Sequence, residues 1–303
     1  MRRLVKRTLG AWGWPFTGWR KDGGALILTF HRVRAGGAAE GEPMGNLVAD
    51  AEAFRNLLTW LCEVAEPIAL EDWWRDGGHR QARKGARGFF VVTFDDGWAD
   101  NATVAGPILR ELGVPATVFL CTGAVEQRQP FWWQVAGLDD AAIERLKREE
   151  PAGLPERFAT AGTPEVRRAA AEQFLTWEQV VDWAQQGGVR FGLHGHRHEL
   201  MDSMRRADAL EDVETCWRLV NAHVPEAARS PFFCWPNGNV REDLSIEMAG
   251  LGLEGGLSTH PGIAHADWPE DRWRLPRVNV DARLAADCAL WKWAIEKGRH
   301  SRT

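Results

Sequence analysis

At 88–94 the chain reads GFFVVTF, an apolar, β-branched and aromatic run with no polar alternation. A strand of this composition must be covered on both faces, which points to a parallel sheet flanked by helices and away from an antiparallel sheet with one wet face. Strand character recurs at 25–30, 116–120, 189–193, 232–235 and 275–280. Helical patterns lie between these stretches, among them 104–112 and 177–186, the second opened by Thr176 as an N-cap. The alternation predicts an α/β fold closed as a parallel (β/α) barrel. In a chain of 303 residues with 45% apolar content, one such domain suffices, and no repeat or linker asks for a second.

Two of these strands run into residues that can do chemistry. The first continues as Asp95-Asp96-Gly97, completing the string TFDDG, and 189–193 releases His194-Gly-His-Arg-His198. A barrel of this kind presents functional groups at the C-terminal ends of its strands, so both strings are expected on one face. Taken singly, Asp-Asp-Gly is a common turn and a His-rich pentamer a polar loop. Together they complete a set, because a catalytic zinc-like centre takes three protein ligands from His and carboxylate and keeps a position for water. Asp96, His194 and His198 meet that count. Asp95 is then left to accept a proton from the attacking water, its ionised form favoured by the adjacent cation. His194 with His196 is the competing ligand pair; His198 is preferred, with His196 as a loop or substrate-facing residue.

TFDDG with a His-x-x-x-His string resembles the polysaccharide deacetylase family, carbohydrate esterase family 4, whose members remove N-acetyl and sometimes O-acetyl or N-formyl groups from sugars. The resemblance implies a deformed (β/α) barrel, with Asp95 as general base and Asp96, His194 and His198 as metal ligands. Further strings are similar to the branch of poly-N-acetylglucosamine deacetylases. ALILTFHRV at 25–33 resembles that branch's opening strand and implies His31 as the general acid for the leaving amine; a histidine tied to backbone in a turn is the other reading. FFCWPNGN at 232–239 resembles the family's third motif, ordinarily Tyr-Pro-x-Gly. It implies that the Trp235 backbone N–H stabilises the oxyanion, a role that needs an amide and no phenol. RWRLPRVNV at 272–280 resembles the family's late Arg-x-Pro-Arg strand. It implies Arg277 as the partner that holds Asp95 ionised through a charge-assisted bond, against the alternative of a surface arginine. Arg229-Ser-Pro231 is a loose match to the family's other arginine-bearing motif.

The activity so implied is that of a metal-dependent hydrolase that removes the N-acetyl group of an amino sugar in a polysaccharide or glycan precursor. Its cofactor would be a divalent metal, zinc first, with cobalt, nickel or iron also accepted by an imidazole-carboxylate site. No nucleotide or organic cofactor is required, and the Gly-rich stretches at 22–24 and 76–78 read as turns because they lack a phosphate-loop pattern. Two alternatives keep the fold. One is deformylation or deacetylation of a lipid-linked amino sugar. The other is a non-catalytic glycan-binding protein, whose simplest signature would be loss of Asp95, Asp96, His194 or His198.

The remaining features bear on surroundings and compartment. The stretch at 125–174 exceeds a simple connection, carries helix-like segments at 139–149 and 164–174, and is expected to shape a substrate cleft or a partner surface. Phe131-Trp-Trp133 at its start either stacks on sugar rings or packs the excursion onto the barrel. Residues 1–21 form a separate basic, aromatic segment that holds six Lys or Arg and no acid, and whose apolar residues are too interrupted for a signal peptide or a spanning helix. Its composition suits a peripheral anchor on the inner membrane face, or packing on the barrel formed by 22–303. Cys62, Cys121, Cys216, Cys234 and Cys288 have no paired spacing, as expected of a reduced, cytoplasmic chain. A formal charge of −5 offers no field for nucleic acid. The chain has 17 Trp and no Tyr, so Phe30, Trp98 and Trp235 stand where the resembling family often has Tyr, and hydroxyls are missing there.

Overall fold

Ten strands lie within residues 23–76, 81–265 and 269–287, the parts of the chain that the computed structural model describes. The segment at 1–21, with the anchor expected there, and Cys288 lie outside the described residues. The strands are β1 (Ala25–Phe30), β2 (Arg32–Arg34), β3 (Val48–Asp50), β4 (Glu66–Pro67), β5 (Phe89–Phe94), β6 (Ala116–Leu120), β7 (Val189–Leu193), β8 (Arg229–Cys234), β9 (Gly255–Leu257) and β10 (Val278–Asn279). Eight of them form one sheet in the order β10-β1-β5-β6-β7-β8-β9, with β4 beside the start of β5. Every pairing in it is parallel.

β1 and β5 pair along their whole length, from Ala25 opposite Phe89 to Phe30 opposite Phe94. All their residues are buried, as an apolar run with no polar alternation requires. Successive side chains point to opposite faces. Leu26, Leu28, Phe30, Phe90, Val92 and Phe94 join a core with residues of the helices Ala51–Val64 and Arg206–His223. Ala25, Ile27, Phe89 and Val91 point the other way, into a second core shared with Phe119, Phe232 and Leu257 of other strands and with Leu275. The sheet therefore curls around that second core. Residues 275–280 close it, since Leu275 pairs in parallel with Leu257 of β9 while Val278 and Asn279 pair with β1 at the opposite end of the order. The architecture is a parallel sheet with helices, bent into the expected deformed (β/α) barrel.

Several boundaries differ from the sequence expectation. The strand expected at 275–280 is regular only at Val278–Asn279, because its first part serves the other edge through Leu275. The helix expected at 104–112 begins earlier with a π-helical turn, Asn101–Ala105, that runs into Gly106–Leu112. The helix Trp177–Gln186 has the expected bounds, and Thr176 and Gln179 cap it reciprocally. In the excursion, Asp140–Glu149 and Pro164–Ala171 are helical. Phe131, Trp132 and Trp133 pack there with Trp98 and Phe174 in a third apolar cluster, which ties the excursion to the barrel mouth. Among the described residues, no helix is long and apolar enough to cross a membrane.

Candidate active site

Strand parity decides which side chains enter the barrel mouth. Phe89 and Val91 face the interior core, so Thr93 and then Asp95 are delivered to the same side. A Cβ on Gly192 would meet Phe119 and Phe232 of that core, so His194, two residues on, also faces inward. By the same alternation Asp96 would point outward with Phe94. Its φ of 78° breaks the pattern, and His198 at φ 56° is likewise left-handed. Both conformations are uncommon for residues with a Cβ, and outliers of this sort concentrate at functional sites.

The consequence is a convergence of three potential ligands. Asp96 Oδ1 lies 3.3 Å from His194 Nε2 and 3.1 Å from His198 Nε2. Trp98 Nε1 donates to Asp96 Oδ2 at 2.8 Å, leaving Oδ1 toward the imidazoles. His194 Nδ1 is 2.8 Å from the Cys234 carbonyl. A carbonyl only accepts, so Nδ1 carries the proton and a neutral His194 presents the lone pair of Nε2 to a carboxylate oxygen. Asp96 Oδ1 is buried without a hydrogen-bond partner. Burial works against a charged His194, but its acidic neighbours outweigh it and raise its pKa, so a proton on Nε2 can bridge to Oδ1; one divalent cation in that place would satisfy all three groups at once. The donor set thus fits a zinc-type centre, with Trp98 and the Cys234 carbonyl orienting the ligands from outside.

Asp95, His194 and Cys234 form a second set whose potential ligand atoms lie within 4.8 Å of one another. The protein supplies that set with its own cation. Arg277 donates to both oxygens of Asp95 at 2.8 Å, to Cys234 Sγ at 3.0 Å, to Thr93 Oγ1 at 3.2 Å and to the Ser258 carbonyl at 2.9 Å. It is fully buried, unlike the surface arginine considered from sequence. A metal there would sit against a guanidinium, so Asp96, His194 and His198 are the better ligand set. Burial works against ionised Asp95, but the charge and paired hydrogen bonds of Arg277 outweigh it and bring its pKa to about 2.

His31 lines the same cavity as Asp95, Asp96, His194 and His198. Its backbone carbonyl is tied by Asn101 Nδ2 at 2.7 Å, while its Nδ1 is buried without a partner. Burial lowers its pKa, with Asp96 and Asp95 pulling the other way. His196 turns away, with Nδ1 3.0 Å from Thr122 Oγ1, and is a loop residue outside both ligand sets. Phe131 and Trp133 pack on the His198 ring, at centroid distances of 4.5 and 5.1 Å, and so fix the position of this candidate ligand.

Trp235 requires a correction. Its N–H donates to the Leu257 carbonyl of β9 at 3.0 Å, and its indole Nε1 donates to the Trp273 carbonyl at 2.7 Å. An amide has one proton, and the sheet uses it, so this N–H is not free to stabilise an oxyanion.

Sequence reasoning missed Asp212. This buried residue of the helix Arg206–His223 accepts from His196 N at 2.6 Å, from Arg197 N at 3.0 Å and from Arg197 Nε at 3.2 Å. A Cβ at Gly195 would come within 2.8 Å of Asp212 Oδ1, so glycine is needed for the close approach. The loop between His194 and His198, the two candidate ligands, is thereby clamped to a carboxylate. A lone Asp in a helix carries no motif that would have revealed it.

The cavity above these groups measures about 360 Å³. The excursion contributes Trp132, Trp133, Glu144 and Lys147 to its wall, and Asn237, Thr259 and Asn279 line it as well.

A family model described as polysaccharide deacetylase matches residues 82–256. No protein of curated function matches the sequence. Among solved structures, the Streptococcus pyogenes deacetylase PplD in complex with acetate is 18% identical with a TM-score of 0.63, over 88% of this chain and 97% of that one. IcaB from Ammonifex degensii is 18% identical with a TM-score of 0.60, over 90% and 97%. The BpsB deacetylase domain from Bordetella bronchiseptica is 19% identical with a TM-score of 0.56, over 86% and 97%. At these identities the likeness to the three structures establishes the fold.

Proposed function

Because the chain belongs to the polysaccharide deacetylase family, we propose that it hydrolyses the N-acetyl group of an amino sugar in a polysaccharide or glycan precursor, with a divalent cation, zinc first, held by Asp96, His194 and His198. The observation that carries this reading is the convergence of two imidazole nitrogens on one buried, unpartnered carboxylate oxygen. A cation bound there supplies a Lewis acid for the acyl oxygen and acidifies water at the site.

The chain's own residues do the rest. Asp95, ionised at neutral pH and fixed by Arg277, accepts the proton of the attacking water. His31, in the same cavity, protonates the departing nitrogen, and the burial that lowers its pKa makes its charged form a readier donor. Water is added across the amide C–N bond, giving a carboxylate and a free amine. Asn237, Thr259 and Asn279 offer polar partners to sugar hydroxyls. The basic, aromatic composition of residues 1–21 supports peripheral contact with an anionic membrane, and the scattered cysteines support its cytoplasmic side.

Elemental analysis of purified wild type and Asp96→Ala, with acetate and formate release from N-acylated amino sugars assayed on the same samples, tests this reading. Near-stoichiometric metal that is lost with Asp96 and accompanied by acetate release is the expected result. Formate in place of acetate would move the assignment to a deformylase, and absence of metal under every loading condition would overturn it.

A further inference from the structure

A second cavity, of about 250 Å³, opens from the catalytic centre. It shares His31, Met44, Leu47, Asp96 and Trp133 with the first, so the two chambers meet at the general acid candidate and a metal-ligand candidate. Their linings differ in kind. The first presents Asn46, Glu144, Lys147, Asn237, Thr259 and Asn279, side chains suited to hydroxyl groups. The second presents Met44, Leu47, Val48, Trp98, Val166 and Ala170. Its other lining residues include Arg32, Glu42, Gln134 and Gln173, and these are engaged internally: Arg32 donates to Asp100 at 2.7 Å and to Gln173, faces Glu42 at 3.5 Å and stacks on Trp98 at 4.3 Å, Glu42 accepts from Arg34 and from Ala39 N, and Gln134 Oε1 accepts from Phe131 N at 2.9 Å. With these polar groups paired among themselves, what the second chamber offers a ligand is mainly hydrocarbon surface.

An amide placed at the junction has a polyhydroxyl body on its nitrogen side and a hydrocarbon on its carbonyl side. The sugar then belongs in the first chamber and the acyl chain in the second, because hydroxyls left in an apolar chamber would lose their hydrogen bonds. The second chamber is far larger than one methyl group. On the amidohydrolase reading above, we propose that it is an acyl-chain subsite and that the protein hydrolyses N-alkanoyl amino sugars with chains longer than acetyl, in the butanoyl to hexanoyl range. The reaction keeps its balance: water adds across the C–N bond, and the products are the alkanoate and the amino sugar.

The test compares methyl glycosides of N-acetyl-, N-butanoyl- and N-hexanoylglucosamine by the rate of amine release from the metal-loaded full chain, alongside binding of acetate, butanoate and hexanoate by titration calorimetry. Each added methylene buried in the chamber is expected to raise kcat/KM and alkanoate affinity by roughly threefold to fourfold. In Ala170→Phe, which fills the chamber, the preference for hexanoyl over acetyl should collapse. Turnover of the acetyl compound with a fall at butanoyl would overturn the subsite while leaving the deacetylase reading intact. Tighter binding of hexanoate without any amine release would uphold the subsite and overturn the hydrolase. Equal binding of all three alkanoates would sink the subsite in either case.

Discussion

Asp95 and Asp96 are adjacent in sequence and equally buried, each 2% exposed, yet the protein treats them in opposite ways. Around Asp95 every demand is met internally: Arg277 pairs with both oxygens and is itself held by Thr93, Cys234 and Ser258. Around Asp96 the chain assembles two imidazoles and leaves Oδ1 without a partner. A buried charge without compensation is costly. The first cluster resolves that cost with a fixed guanidinium, which keeps the carboxylate ionised. In the second, Trp98 serves one oxygen, and a cation between Oδ1 and the imidazoles would resolve the rest. One strand end thus carries a finished part and a receptive one.

The largest break in this contrast comes from removing a ligand. His198→Ala should abolish stoichiometric metal binding and all measurable turnover, whereas His196→Ala, which loses contacts to Thr122 and Gln127, should keep its metal. Elemental analysis of the pair decides it; metal retained in His198→Ala and lost in His196→Ala would move the ligand set to His194 and His196. Asp95→Asn comes next. It should bind metal as wild type does and lose roughly 10²–10⁴-fold in kcat/KM, the usual weight of a general base. Loss of metal in that variant would mean that the two acids have exchanged roles.

Arg277→Met attacks the finished cluster. It strands a buried carboxylate and should cost about 3–5 kcal/mol in denaturant unfolding, part of which Asp95→Asn/Arg277→Met should restore. The pH dependence follows from the direction of the shift. The folded pKa of Asp95, about 2, lies below its ordinary 3.8, so the unfolded chain takes up this proton first as the solution is acidified. The pair's stabilisation is therefore complete above the ordinary value and is lost as pH falls from there toward 2. Wild type should lose this increment across that window and Arg277→Met should not; parallel curves would refute the assignment.

Much of this was legible because the informative residues sit where strand periodicity is strong. GFFVVTF required burial on both faces, and two-residue alternation carried Asp95 and His194 into the barrel mouth. The Trp235 error has an equally physical origin. Its N–H is taken by β9, a strand that reads only Gly-Gly-Leu and so lacks both alternation and β-branched residues. Glycine is required there because a Cβ on Gly256 would come within 2.6 Å of Trp235 Nε1, and one on Gly255 within 2.7 Å of the Arg272 carbonyl. The close approach that makes the pairing feasible erases the pattern that would have announced it. Closure through Leu275 was hidden in a similar way, because one short segment serves two edges.

The smallest effect separates the receptive cluster from its support. Asp212 touches neither the cavity nor a ligand side chain; it accepts from the backbone of His196 and Arg197 and so fixes the loop that sets the spacing of His194 and His198. Asp212→Asn keeps the shape but places an amide NH₂ where a carboxylate oxygen accepted, so one backbone N–H loses its acceptor. Loosening of this kind, one step removed from the ligands, typically costs 10–100-fold in metal affinity. Competition with a chelator should show that loss while kcat at saturating metal changes much less, because Asp95, Arg277 and His31 are held by other elements. Unchanged affinity would make Asp212 a packing residue of its helix. A loss of kcat as large as the loss of affinity would show that the finished and receptive clusters are mechanically one unit, which the separate bonding of Asp95 argues against.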